Sequence, residues 1–220
     1  MKALINITSY NREHKLVNLL NQLVDFKVKV WDDYSTFNLE YCYKWDNWHM
    51  FYKFQENYGK KKAWLKFKRM FDELKNTDYD YFIFLPDDVV LSDDFVSKAI
   101  DTWDSIKDEN KICLSFQNDN RLKRGCFTGI APVEKENVLL TGWCDLMFIC
   151  DKRFLKSVEI TEISLDRWKN NELLSSGVGS MISHQMIKKG LNMYHTKEIL
   201  LEHLDGVSMM NPKERKKNKL

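Results

Sequence analysis

The sequence predicts an α/β fold of Rossmann-like type, with a mostly parallel central sheet flanked by helices. Strand-like and helix-like patterns alternate through its first half, and polar residues gather after each strand-like run. At 220 residues with 44% apolar content, the chain is long enough to bury a large core as one domain.

Ala3 to Ile7 is a short apolar run and reads as a buried strand. Leu16, Leu19, Leu20, Leu23 and Val24 follow at helical spacing. Lys27 to Trp31 alternates with period two, as a strand does. Trp64, Phe67, Phe71 and Leu74 mark a second helix, with Lys61, Lys62, Lys66 and Lys68 expected mostly off its apolar face. Tyr79 to Leu85 reads as a third, strongly apolar strand, and Phe95, Ala99 and Trp103 as the helix after it. Strands separated by helices imply right-handed crossovers and a parallel sheet, and such sheets bind ligands beyond the carboxyl ends of their strands.

At those ends stand Thr8-Ser9-Tyr10-Asn11-Arg12, then Asp32-Asp33-Tyr34-Ser35, then Pro86-Asp87-Asp88-Val89. The first two also fit ordinary turns and helix caps, which use the same residue types. The third is different, because two adjacent carboxylates at the mouth of an apolar strand repel each other unless a cation or hydrogen-bond donors offset them. A hard divalent ion, Mn²⁺ or Mg²⁺, carrying diphosphate oxygens on its remaining positions would do so. Ser92-Asp93-Asp94 is read only as the cap of the next helix.

The order of these segments resembles the GT-A glycosyltransferases of the family-two-like branch over nearly the whole chain. By that resemblance Thr8, Tyr10 and Arg12 line a nucleotide pocket, and Asp32 or Asp33 reads the base. Asn57, Gly59 and Lys60 match a following donor-side segment, where Lys60 also fits a solvated lysine run. The resemblance further implies that Asp88 ligates the metal, that Asp87 faces the ribose and that His203 is the late metal ligand. The family's acidic motif often has an acid where this chain has Pro86. His14, His49, His184 and His195 are read as structural.

An inverting transfer needs a base for the acceptor hydroxyl. Asp145 is the candidate, in Thr141-Gly142-Trp143-Cys144-Asp145, with Gly142 and Trp143 on the acceptor side; a turn role or a pairing with Arg153 fits Asp145 equally. Many members of the family place a catalytic acid where Ser175 to Ser180 holds only serines, glycines and a valine, which keeps a retaining mechanism open. The two glycines there suit a close backbone approach to donor or acceptor.

The implied function is metal-dependent transfer of a hexose from a UDP-sugar to a glycan hydroxyl. A modified base in DNA is an alternative acceptor, and a nucleic-acid-binding module using Arg121, Lys123 and Arg124 is an alternative class. A sugar-phosphate nucleotidyltransferase ranks lower because Thr8 to Arg12 has no glycine, and a catalytically inert scaffold would show no metal-dependent nucleotide binding. The formal net charge of +2 gives no reason to expect duplex binding over the whole surface. Five cysteines without a C-x-x-C pair read as free thiols, and no run approaches a membrane span, so a cytoplasmic setting is expected. The domain is expected over 1–210, with 211–220 a basic tail.

Overall fold

The computed structural model describes residues 2–37, 49–116, 131–144, 146–172 and 174–204. Nine of the described strands form one sheet, in the order β3-β2-β1-β4-β9-β6-β10-β8-β7. They are β1 (Ala3–Ser9), β2 (Val28–Asp32), β3 (His49–Lys53), β4 (Tyr81–Pro86), β6 (Lys111–Ser115), β7 (Val133–Glu134), β8 (Val138–Thr141), β9 (Phe148–Cys150) and β10 (Asn192–Thr196). β1 pairs parallel with β2 and β4, β2 with β3, and β6 with β10. Only β8 and β9 run against the rest. A separate ribbon joins β5 (Val89–Leu91) antiparallel to β11 (Leu201–His203).

Strand alternation builds two cores. Ile5, Ile7, Val28, Val30, Ile83 and Leu85 face one side, where α1 (Glu13–Asn21) and α3 (Phe95–Ser105) contribute Leu16, Leu19, Leu20, Ala99 and Trp103. Leu4, Trp31, Phe82 and Phe84 face the other. There α2 (Ala63–Leu74), α4 (Lys152–Ser157) and α5 (Val178–Lys188) cover them with Phe67, Met70, Phe71, Phe154, Ile182 and Met186. Each fully buried Val, Leu, Ile, Phe or Met among them contributes roughly 1.5–3 kcal/mol. The buried Asn6 is satisfied within this packing, since its Oδ1 accepts from Trp31 Nε1 at 3.0 Å and its Nδ2 donates to the Leu4 carbonyl.

The expected alternation holds, with differences that matter for the site. β3, a third parallel strand at the sheet edge, was not expected, because His49 to Lys53 has an apolar run of only three residues and no period-two alternation. Lys66 is buried rather than off the apolar face of α2. Its position follows from spacing: Ala63, Lys66, Phe67, Met70, Phe71 and Leu74 form one helical stripe. Asp94 does stand at the start of α3, but left-handed and without a side-chain cap bond.

Topology places the site. The chain leaves β1 for β2 and β3 on one side, then returns to β4 on the other, so β1 and β4 flank the point where strand order reverses. Thr8 pairs with Pro86 in register, which brings the two polar segments after these strands together at one edge.

Candidate active site

The β1–α1 turn is held in shape by its neighbours. Asn11 takes a positive φ of 50°, and its Oδ1 accepts from Thr36 N at 2.8 Å while its own N–H donates to Ser35 Oγ at 2.8 Å. Arg12 then opens α1, its carbonyl accepting from Leu16 N. The sequence thus fixes the backbone of Arg12 while its long side chain reaches over the end of β4.

There it meets both acids of Pro86-Asp87-Asp88. Arg12 Nη1 lies 2.9 Å from Asp87 Oδ1 and 2.8 Å from Asp88 Oδ2. Asp87 also accepts from Ser9 Oγ at 2.8 Å and from Tyr10 N at 3.2 Å. Burial pushes the Asp87 carboxyl above its ordinary value, the Arg12 charge and the Ser9 hydrogen bond acting in the opposite direction. Repulsion between the neighbouring acids is therefore met first by donors from the turn after β1. Both oxygens of Asp87, expected to face a ribose, are engaged by the chain itself.

Asp88 stands where the small ribbon begins. Its carbonyl accepts from Leu204 N at 2.8 Å, and β11 brings His203 opposite Val89. His203 Nδ1 is 3.6 Å from Asp88 Oδ1. The two expected metal ligands, 115 residues apart in sequence, are thus adjacent in space.

That spacing fits a divalent ion. Two donors at the ~2.1 Å bond length of such ions lie about 3 Å apart when they occupy neighbouring octahedral positions, a small closure from the observed separation. Among the described residues no group of three or more His, Cys, Asp or Glu side chains gathers to form a metal cage. A two-ligand corner suits an ion whose other positions go to phosphate oxygens and water.

The second acidic segment closes the turn after β2. Asp32 Oδ2 accepts from Ser35 N at 3.0 Å and Oδ1 from the Ser35 hydroxyl. Burial pushes the Asp32 carboxyl up, against the Ser35 hydrogen bonds and the Lys53 charge. The sign follows: a folded state that holds this proton more tightly than the unfolded chain gains stability below the unfolded value of 3.8, and loses it as pH rises through the folded value. Asp32→Asn should therefore lessen the fall in stability between about pH 4 and neutrality, read as denaturant midpoints across pH; an unaltered profile would place the burial cost elsewhere.

Asp33 anchors the segment Asn57 to Gly59. It accepts from Tyr58 N at 2.9 Å, from Gly59 N at 3.2 Å and from Lys66 Nζ at 3.4 Å, while Asn57 Nδ2 donates to its carbonyl at 2.8 Å. Gly59 carries a φ of 51°, and a Cβ there would stand 3.1 Å from Asn57 Oδ1. Glycine suits this turn, since a side chain there would be strained by the positive φ and would push Asn57 aside. Lys60 Nζ donates to the Glu172 carbonyl, and Lys61 pairs with the Glu172 carboxylate at 3.1 Å. These lysines tie the segment to the stretch before α5.

Gly142 is buried and Trp143 half-buried, and the Trp143 carbonyl lies 2.8 Å from His195 Nε2. A Cβ on Gly179 would lie 3.2 Å from the Cys144 carbonyl and 3.4 Å from the Trp143 ring, so this glycine admits the Cys144 backbone against the start of α5. Gly177, at a φ of 83°, lies against Arg167 in the same way. The close approaches these glycines permit are to the chain itself. Asp145 and the basic residues Arg121, Lys123 and Arg124 lie outside the described residues, as does the tail 211–220. Arg153 pairs with Asp151 at 2.9 Å.

Sequence reasoning missed Ser9, Ser35 and Lys66 as supports of the acids. Lys66 was legible from its place on the apolar stripe of α2. Ser35 was legible as the close of a local turn on Asp32, three residues before it, whereas Ser9 carried no signal because its partner Asp87 is set by strand pairing.

The architecture is that of the GT-A fold, with its acidic corner at the switch point of the sheet. No family model and no curated protein sequence matches the chain. Solved structures do. A mycobacterial protein is similar over 93% of this chain and 68% of its own, with a TM-score of 0.58 and 11% identity. Glucosyl-3-phosphoglycerate synthase from Mycobacterium tuberculosis, solved in complex with Mn²⁺ and UDP-glucose, is similar over 93% of this chain and 72% of its own, with a TM-score of 0.57 and 11% identity. At that identity the likeness is one of fold.

Proposed function

We propose that the chain is a nucleotide-sugar-dependent glycosyltransferase that works with Mn²⁺ or Mg²⁺ and moves a hexose from a UDP-sugar to a glycan hydroxyl. The convergence of Arg12, Asp87, Asp88 and His203 at the switch point supports this reading most strongly. An α/β sheet offers its ligand crevice there, and the residues gathered are those that a diphosphate and its counter-ion need.

In this reading Asp88 and His203 hold the ion, and Asp87 keeps the turn after β1 in place through Ser9 and Tyr10 N. When bound, the ion supplies Lewis acidity to the departing diphosphate. Thr8, Tyr10 and Arg12 border the nucleotide. Asp32 and Asp33 act by bracing the loops around the base, with Asn57, Gly59 and Lys60 positioned by Asp33 and Glu172. Gly142 and Trp143 form the acceptor wall, and Asp145 takes the acceptor proton if the transfer inverts configuration. In this reading the domain spans 1–210 and works in the cytoplasm. Among the described residues, no helix is long and apolar enough to cross a membrane.

The test is thermal unfolding against a panel of nucleotide sugars, with and without Mn²⁺. A UDP-sugar should raise the unfolding temperature only when the metal is present, since ligand at a hundred times its Kd stabilises the native state by about 2.7 kcal/mol. If no nucleotide sugar shifts the transition in either condition, the reading fails.

A further inference from the structure

Arg12 is placed in a way that binding a nucleotide does not by itself require. A single nitrogen, Nη1, lies between the two carboxylates, 2.9 Å from Asp87 Oδ1 and 2.8 Å from Asp88 Oδ2. Asp87 has two other donors in Ser9 Oγ and Tyr10 N, so its position does not depend on the guanidinium. For Asp88, the guanidinium lies on Oδ2 and His203 faces Oδ1. The arginine thus shares one carboxylate with the proposed metal position. The corner is sheltered, the side chains of Arg12 and Asp88 being 15% and 6% exposed. A divalent charge arriving there meets a like charge with little water to screen it.

We infer that Arg12 is a resident cation of the donor site. It neutralises Asp88 while the site lacks metal and nucleotide, yields that carboxylate when the ion arrives, and turns to the diphosphate that comes with it. This rests on the nucleotide-sugar reading above. Arg12 can swing on its own side-chain bonds while its carbonyl stays in the first turn of α1. Metal alone must displace the guanidinium without giving it a new partner, whereas metal with diphosphate provides one. Metal and nucleotide therefore bind co-operatively, and each raises the affinity of the other by the same factor.

The experiment titrates Mn²⁺ by electron paramagnetic resonance into the full chain, with and without UDP, for the unaltered protein, Arg12→Gln and Arg12→Lys. Arg12→Gln removes the competing charge, so Mn²⁺ alone should bind about tenfold more tightly, while UDP at saturating Mn²⁺ should bind about tenfold more weakly. The mutual enhancement should fall, leaving only the part that comes from direct contact between the ion and the diphosphate. Arg12→Lys keeps a cation near Asp88 and should retain weak Mn²⁺ binding. A merely structural arginine would not raise metal affinity on removal; unchanged or weaker Mn²⁺ binding in Arg12→Gln overturns the inference.

Should the variants not fold, the unaltered protein still decides. The Arg12 guanidinium resonances of ¹⁵N-labelled chain should move when Mg²⁺ and UDP are added together, and their remaining fixed overturns the resident-cation role. An unaltered chain that binds neither Mn²⁺ nor UDP removes the nucleotide-sugar reading and this inference with it. A chain that binds both, with Arg12→Gln indistinguishable from it, removes the inference alone.

Discussion

Asp88→Ala is expected to abolish the Mn²⁺-dependent stabilisation by UDP-sugar and to lower kcat/KM roughly a thousandfold, because the departing diphosphate loses several kcal/mol of charge stabilisation. The fold should survive the change. Asp88 is tied to the ribbon through its carbonyl, which accepts from Leu204 N at 2.8 Å, and alanine keeps that bond. Removal of the side chain also frees Arg12 from one of its two carboxylates, leaving it on Asp87 at 2.9 Å. His203→Ala should weaken metal binding less, since a neutral imidazole contributes a donor but no charge. Unfolding scans with and without Mn²⁺ and UDP-sugar, beside steady-state kinetics, are the check. A variant that still responds to Mn²⁺ as the parent does would show that the ion is held elsewhere.

Asp33→Ala should produce the largest loss of stability, about 3–5 kcal/mol, because it strands a buried ammonium. Lys66 and Asp33 side chains are 6% and 3% exposed, and they lie 3.4 Å apart. The same carboxylate accepts the N–H groups of Tyr58 and Gly59, so its removal also leaves two backbone donors without this acceptor. For a chain of this length the loss corresponds to a fall in Tm of roughly 10 °C. Asp33→Ala with Lys66→Met should recover much of it, since the stranded charge goes while the apolar stripe of α2 is completed. The two backbone donors remain without Asp33, so recovery should be incomplete. Denaturant unfolding of the two single variants and the double variant measures this coupling. Additive effects would show that the two residues do not interact.

The alternation of β1, α1, β2, α2, β4 and α3 was legible because each element repeats its apolar residues at its own period. Those periods depend only on backbone geometry. The strand ends were legible for the same reason, and with them the segments holding Arg12, Asp33, Asp87 and Asp88. β3 was not, since His49 to Lys53 lies at the sheet edge with only His49 of its five residues buried, so its sequence carries little of the pattern that burial imposes. His203 could be placed by family resemblance alone. Its approach to Asp88 depends on pairing between β5 and β11, and nothing local in the sequence encodes a partner so distant along the chain.

Sequence by itself determined the fold class and which carboxylates stand at the mouths of the strands, because hydrophobic period and turn chemistry are local properties. Only the tertiary structure decided what those carboxylates face. It gave Arg12 to Asp87 and Asp88, Lys66 to Asp33, and Ser9 to Asp87. Charge pairing at a buried edge is settled by strand register and by the direction in which helices leave the sheet, and both are fixed only when the whole core packs.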